Sequence, residues 1–331
     1  MSNCFRHLKQ IGCLAAVLVG LFGTSACVYA QDNGGFLMSV AWSPDGSKFA
    51  TGHDNGIVKI WDLATLQELD DFPVFAVQDG TLLVWDIRWS PDGSKLAVAA
   101  TSYRSYAAIQ VLDVQTGQIL AGFEAMSSAS QVAWSPDGGM LAGTVNSGEL
   151  FGYIKIWDTA TWDEIASLDE PAVHVSWSPD GTRLASDQDG LVMIWDTTTW
   201  KMISYLPERA TMMRWSTDGQ LTADMGAAEG IVRIRDAETA QIISTLACEK
   251  PYVYGFAWQS QGKQIAVACI DRIQIWDVMS GVQVGEIVLG FPADYIDWHP
   301  QKNLILYGSE FTFEAKLANV GLLTSLSAVG E

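Results

Sequence analysis

The pentapeptide Trp-Ser-Pro-Asp-Gly stands at Trp42 to Gly46 and returns unchanged at Trp89 to Gly93, Trp134 to Gly138 and Trp177 to Gly181. Three altered copies follow: Trp215-Ser216-Thr217-Asp218-Gly219, Trp258-Gln259-Ser260-Gln261-Gly262 and Trp298-His299-Pro300-Gln301-Lys302. Trp42 and Trp298 lie 256 residues apart, so the six intervals average about 43 residues. A fixed period of that size marks a repeat array, in which no unit can bury its apolar surface alone and each stacks on its neighbours.

The residue two before each tryptophan is apolar throughout: Val40, Ile87, Val132, Val175, Met213, Phe256 and Ile296. That period of two predicts a strand ending at the tryptophan. Pro-Asp-Gly then reverses the chain, since Pro presets φ, Asp bonds local backbone and Gly accepts positive φ; these aspartates are structural. A second strand follows, as in Leu96-Ala97-Val98, then a third, as in Ile57 to Asp62, and a fourth, as in Glu164 to Leu168. The expected fold is all-β: a seven-bladed β-propeller of four-stranded antiparallel blades.

Trp-Asp pairs close the third strands at Trp61-Asp62, Trp157-Asp158, Trp195-Asp196 and Trp276-Asp277, with variants Leu112-Asp113 and Arg235-Asp236. Trp85-Asp86 sits only four residues before Trp89 and belongs inside an inner strand. Over nearly the whole chain beyond residue 30 this pattern resembles the WD40-repeat family, in the Trp-Ser-Pro-Asp-Gly form of its bacterial members. The sequence lacks the Gly-His dipeptide that such repeats carry ahead of the inner strand, so the family's His/Ser/Trp/Asp hydrogen-bond network is not expected in its usual form. The first strand recognised is Met38 to Trp42 and the last lies near Leu322 to Ser327. On that reading each blade is contiguous in sequence, and the seam between blades 1 and 7 rests on side-chain packing and is the weakest interface.

Arg6 and Lys9 precede an apolar stretch, Ile11 to Gly23, and Val28-Tyr29-Ala30 ends a region of small residues. Residues 1–30 therefore read as a secretory signal peptide cut after Ala30, leaving the propeller as 31–331 in the periplasm or outside the cell. The stretch is shorter than a membrane span requires. Thr24-Ser25-Ala26-Cys27 offers a less fitting alternative, lipidation at Cys27. Cys248 and Cys269 remain after cleavage; they read as two separate buried thiols in apolar strands, with an oxidised pair as the alternative.

Hydrophobic residues make up 49% and charged residues 17%, enough apolar content for a large core. The net charge is −19 and no Lys/Arg run occurs beyond residue 30, which disfavours nucleic acid and anionic membranes as partners. No nucleophile elbow, zinc-binding His pair, phosphate loop or dinucleotide fingerprint is present. His53, His174 and His299 fall at unlike positions in different blades, so a metal or acid–base centre is not expected. Ser186-Asp187-Gln188-Asp189-Gly190 has part of a calcium loop but lacks the closing Glu and reads as a hairpin turn. Neither a catalytic residue, a metal site nor a cofactor is assigned.

Arg88, Arg214 and Asp297 occupy the position just before the inner tryptophan, where other units have small residues. They read as interblade salt bridges, for example to a Trp-Asp carboxylate, or as a polar pocket at the central channel. In WD40-like propellers the loops entering the inner strand and those joining the second and third strands share one face. Here that face would carry Phe75, Tyr103, Arg104, Tyr106, Phe151, Tyr252, Tyr254, Phe291 and Tyr295, residue types enriched at interfaces, rimmed by Asp169, Glu170, Glu208 and Glu229. The expected function is a monomeric, noncatalytic scaffold for a protein or peptide partner. The competing reading is a small-ligand sensor, metal binder or enzyme working through an acidic central channel.

Overall fold

The computed structural model describes residues 26–27, 35–74, 82–102, 107–125, 128–146, 152–168, 170, 172–226, 230–250, 252–309 and 315–320. These form seven four-stranded antiparallel sheets, with no α-helix among them. Blades 1 to 6 are contiguous in sequence. Their inner strands are Leu37–Trp42, Leu82–Trp89, Ser128–Trp134, His174–Trp177, Ala210–Trp215 and Val253–Trp258.

Each tryptophan ends its inner strand, and the turn that follows is built as the residue types require. In blade 1 Ser43 Oγ donates to Asp45 Oδ1 at 2.7 Å, Ser47 N–H donates to the same oxygen at 2.9 Å, and Lys48 N–H donates to Ser43 Oγ at 3.0 Å. Gly46 takes φ +67°. The same lattice recurs at Ser90/Asp92, Ser135/Asp137, Ser178/Asp180 and Ser216/Asp218. The middle strands of each blade are buried on both faces, because blades stack face to face. Thus Val58 and Ile60 of blade 1 share a core with Val84, Ile87 and Leu96 of blade 2. Outer strands are wet: every residue of Lys201–Tyr205 is exposed.

Blade 7 departs from the expected contiguity. Its inner three strands are Tyr295–Trp298, Leu304–Gly308 and Lys316–Asn319, but its outer edge is Ala26–Cys27, with Ala26 opposite Leu317 and Cys27 opposite Lys316. The ring is therefore closed by an N-terminal strand, and a strand near Leu322 to Ser327 lies outside the described residues. Packing also joins the two blades: Trp42, Phe49 and Trp61 share a core with Leu306 and Leu317.

The cysteines are a second correction. Cys248, just after the outer strand of blade 5, is disulfide-bonded to Cys269, the last residue of blade 6's second strand, with Cα atoms 5.9 Å apart. Strands of neighbouring blades bring together two thiols that read separately as core residues.

Candidate functional site: the central channel and its mouth

Antiparallel order makes every inner strand run from the loop face towards the Trp-Ser-Pro-Asp-Gly turns, so the seven strand beginnings ring one end of the channel. Five of these tryptophans then do more than pack. The indole N–H of Trp42 donates to Asp297 O (3.3 Å), Trp89 to Ala41 O (3.3 Å), Trp134 to Arg88 O (3.0 Å), Trp177 to Ala133 O (3.0 Å) and Trp258 to Arg214 O (3.4 Å). Each acceptor is the residue before the inner tryptophan of the preceding blade, so the repeated indole stitches blade to blade.

A second set of bonds lies nearer the loop face. Ser39 Oγ donates to Val84 O, Val132 N–H to Asp86 Oδ2, Val175 N–H to Gln131 Oε1 and Met212 N–H to Asp187 Oδ2, while at the turn end Trp42 N–H also donates to Asp297 Oδ2. In blades 1, 2, 3, 5 and 6 the inner strand shifts register, which re-aims side chains at these points. The shift between Val84 and Asp86 turns the Asp86 carboxylate into the protein while Trp85 stays 40% exposed. The sequence places this pair correctly inside a strand and gives no sign of that role.

Between these strands is a cavity of about 490 Å³, lined by Val40, Val173, Met212, Phe256 and Ile296 among apolar residues and by Asp86, Arg88, His174, Arg214 and Asp294 among charged ones. The channel is mixed in charge, rather than acidic. Arg88 pairs with Asp86 of its own strand at 3.0 Å, so the salt bridge lies within a blade. The link between blades comes instead through carboxylates accepting backbone N–H groups. Burial raises the pKa of Asp86 and of Asp297 above the ordinary carboxylate value. Burial, reinforced by the like charge of Arg88, lowers that of Arg214 to about 10. Asp294 is held by Ser309 Oγ at 2.6 Å.

The histidines are structural. His53 bonds Thr51 Oγ1, which also accepts the Trp61 indole N–H at 2.9 Å; the two contacts build a His–Thr–Trp chain in blade 1 with the histidine at the end of the second strand. His174 bonds Asp187 at 2.8 Å. In blade 5 Arg235 replaces that tryptophan and is buried against Asp224 at 2.6 Å. Asp189 and Gly190 both take positive φ (52° and 84°) and form the hairpin turn expected there. Among the described residues no group of three or more His, Cys, Asp or Glu side chains is placed to hold a metal ion.

Of the face residues expected to bind a partner, Phe75, Tyr103, Arg104, Tyr106 and Phe151 lie outside the described residues, as do Asp169 and Glu229. Tyr252 is 61% exposed. Tyr254 and Phe291 are half-buried against the core shared by blades 6 and 7, where Lys316 Nζ lies 4.4 Å from the Phe291 ring centre. Tyr295 is half-buried and lines the channel. Glu170 is exposed, and Glu208 pairs with Arg235 at 2.8 Å.

Two family models match the chain. One, described as WD domain, G-beta repeat, covers residues 25–62, from the strand that closes blade 7 to the third strand of blade 1. The other, described as eukaryotic translation initiation factor eIF2A, covers residues 70–187. A search of curated proteins returns no match. The seven four-stranded blades make the fold a β-propeller, and the chain is similar to the WD40 repeat over residues 25–62.

Proposed function

We propose that this protein is a noncatalytic, extracytoplasmic scaffold that holds a protein or peptide partner on the loop face of its propeller. The observation carrying the reading is a group of exposed large apolar side chains at the loop end of the ring, apart from those spread along the outer strands. Phe36, Val173, Leu191, Tyr252 and Val288 lie on loops or strand ends of that one face, Trp85 stands inside the blade 2 inner strand at the channel, and each is at least 40% exposed. Surface apolar groups clustered around a channel mouth are a feature of interaction sites, with aromatics as anchors. Tyr254, Phe291 and Tyr295 extend the patch across blades 6 and 7; Phe75, Tyr103, Arg104, Tyr106 and Phe151 are proposed for it from the sequence alone. The opposite face is made of Ser–Asp and Asp–Thr turns; Met279 is exposed there, and Ile119, Ile242 and Val282 begin outer strands beside it.

Export is supported by the apolar leader pattern of residues 1–30 and by the Cys248–Cys269 disulfide, since such bonds persist in oxidising compartments. The test is a comparison of partner capture from an extracytoplasmic fraction by two variants. Phe36→Ser/Tyr252→Ser/Val288→Ser abolishes capture and Met279→Ser leaves it intact. Equal capture by both variants and the parent would remove the loop face from the mechanism.

A further inference from the structure

The charged groups of the channel are unequal in how they are satisfied. Asp86 is held by Arg88 and by Val132 N–H, Asp297 by Trp42 N–H, Asp294 by Ser309, and His174 by Asp187. Arg214, on the inner strand of blade 5, lines the same cavity, and its guanidinium has neither a hydrogen bond nor an ion pair among the described residues. Arg214 is half-buried, and a guanidinium offers five N–H donors in a rigid fork that matches a carboxylate bidentately. The nearby carboxylates each have a donor of their own. Their charge offsets that of Arg214 without occupying its fork. The depressed pKa of Arg214 agrees with a cation desolvated beside another cation.

The rest of the lining is mixed: Asp86, Arg88, Asp294 and the polar Ser39, Thr101, Ser130 and Gln131 share it with an apolar stretch. Val40, Val173, Met212, Phe256 and Ile296 face the cavity, and Trp85 stands beside it. A volume of about 490 Å³ falls in the range of small-molecule sites. We propose that the channel is a binding site for an organic carboxylate with an apolar body, its carboxylate bridged to Arg214 and its body against the Val173–Met212–Phe256 wall. The site adjoins the partner-holding patch and shares Trp85, Val173 and Tyr295 with it, but it takes one small group inside the ring, away from Phe36, Tyr252 and Val288.

The test is titration calorimetry of the full chain with 4-phenylbutyrate and its primary amide, beside a Gly-Gly-Phe peptide with a free or an amidated C-terminus. Saturable 1:1 binding of a free acid, lost at least tenfold in its amide, is expected. Free 4-phenylbutyrate binding alone identifies a small acid as the ligand, whereas binding of the peptide acid identifies a chain end. Arg214→Gln loses the preference for acid over amide, and Arg214→Lys, which keeps the charge without the fork, retains part of it. Thermal unfolding of both variants, unchanged from the parent, separates lost recognition from lost fold. Absence of saturation by any of these acids at millimolar concentration would overturn the proposal. So would an undiminished acid preference in folded Arg214→Gln. Failure of this site leaves capture of a protein on the loop face unaffected.

Discussion

His299 shows how one side chain can fix both a turn and a seam. Its Nδ1 accepts the backbone N–H groups of Gln301 and Lys302 at 3.0 and 2.9 Å, which leaves Nε2–H to donate to Gly46 O of blade 1 at 3.0 Å. That arrangement needs the neutral ring, and burial accordingly pushes its pKa below 6.5. The folded state resists a proton that the unfolded chain accepts near pH 6.5. The contribution of His299 is thus complete above that pH and is lost as pH falls through the lower folded value. Urea unfolding from pH 7 to pH 5 is expected to show falling stability in the parent, with a shallower fall in His299→Gln. Gly46 carries the other half of the contact. It and Gly93 have nearly the same φ, +67° and +70°, yet a Cβ on Gly46 would collide with the His299 ring, while one on Gly93 has Pro44 Cδ at 3.6 Å as its nearest neighbour. Gly93→Ala is expected to cost about 1–2 kcal/mol in backbone strain. Gly46→Ala adds overpacking of about 1–3 kcal/mol, a difference measurable by chemical denaturation.

At the scale of the element, the turn lattice is what the sequence makes most legible, because all its donors and acceptors lie within five residues of one another. Asp92 is the clearest case. Hydrogen bonds from Ser90 and Ser94 hold its carboxyl down at about 2, well under the ordinary 3.8. Its support of the turn is present above pH 3.8 and is lost as pH falls through about 2. Asp92→Ala is expected to destabilise by about 1 kcal/mol at pH 7, as other capping losses do, and to be nearly silent near pH 2. Paired urea titrations at the two pH values check this. A second lattice escaped the reading of the sequence although its signal is there. Asp62, Asp113, Asp158, Asp196 and Asp236 each accept from the N–H and Oγ1 of the threonine three residues on, and Asp277 from Ser280. The Trp-Asp pairs mark the strand ends, and the Asp–Thr spacing shows why the aspartate is there. Asp86 was not legible, because a register shift inside its strand decides which way the carboxylate points.

Across the whole ring the contacts that escape sequence reasoning are those between blades. Tryptophan stitches or inner-ring side-chain bonds join every pair of neighbouring blades except blades 6 and 7, where, among the described residues, the shared apolar core is joined by a Gln259 Nε2–H bond to Asn303 Oδ1 at the turns, 3.2 Å. The seam between blades 7 and 1 has two bonds to Trp42, the His299–Gly46 bond and the Ala26–Cys27 strand, so it is better tied than the 6/7 seam. Nothing local in sequence encodes a pairing between Ala26 and Leu317. The disulfide is equally nonlocal in character, joining blade 5 to blade 6 across a separation of 21 residues; its removal by Cys248→Ser/Cys269→Ser is expected to cost about 3 kcal/mol, read as a lower thermal midpoint. The closing strand bears on processing, since a cut after Ala30 would remove it and leave the edge of Lys316–Asn319 unpaired. Two residues of antiparallel pairing supply about two hydrogen bonds, worth about 1–3 kcal/mol in all. A chain starting at Gln31 is therefore expected to unfold at a lower temperature than one starting at Gly23. The loss should fall on blade 7, read as faster amide exchange in Lys316–Asn319 than in Lys201–Tyr205. Equal midpoints and equal exchange would mean that the N-terminal strand contributes nothing to closure, leaving the ring to its indole stitches and apolar seams.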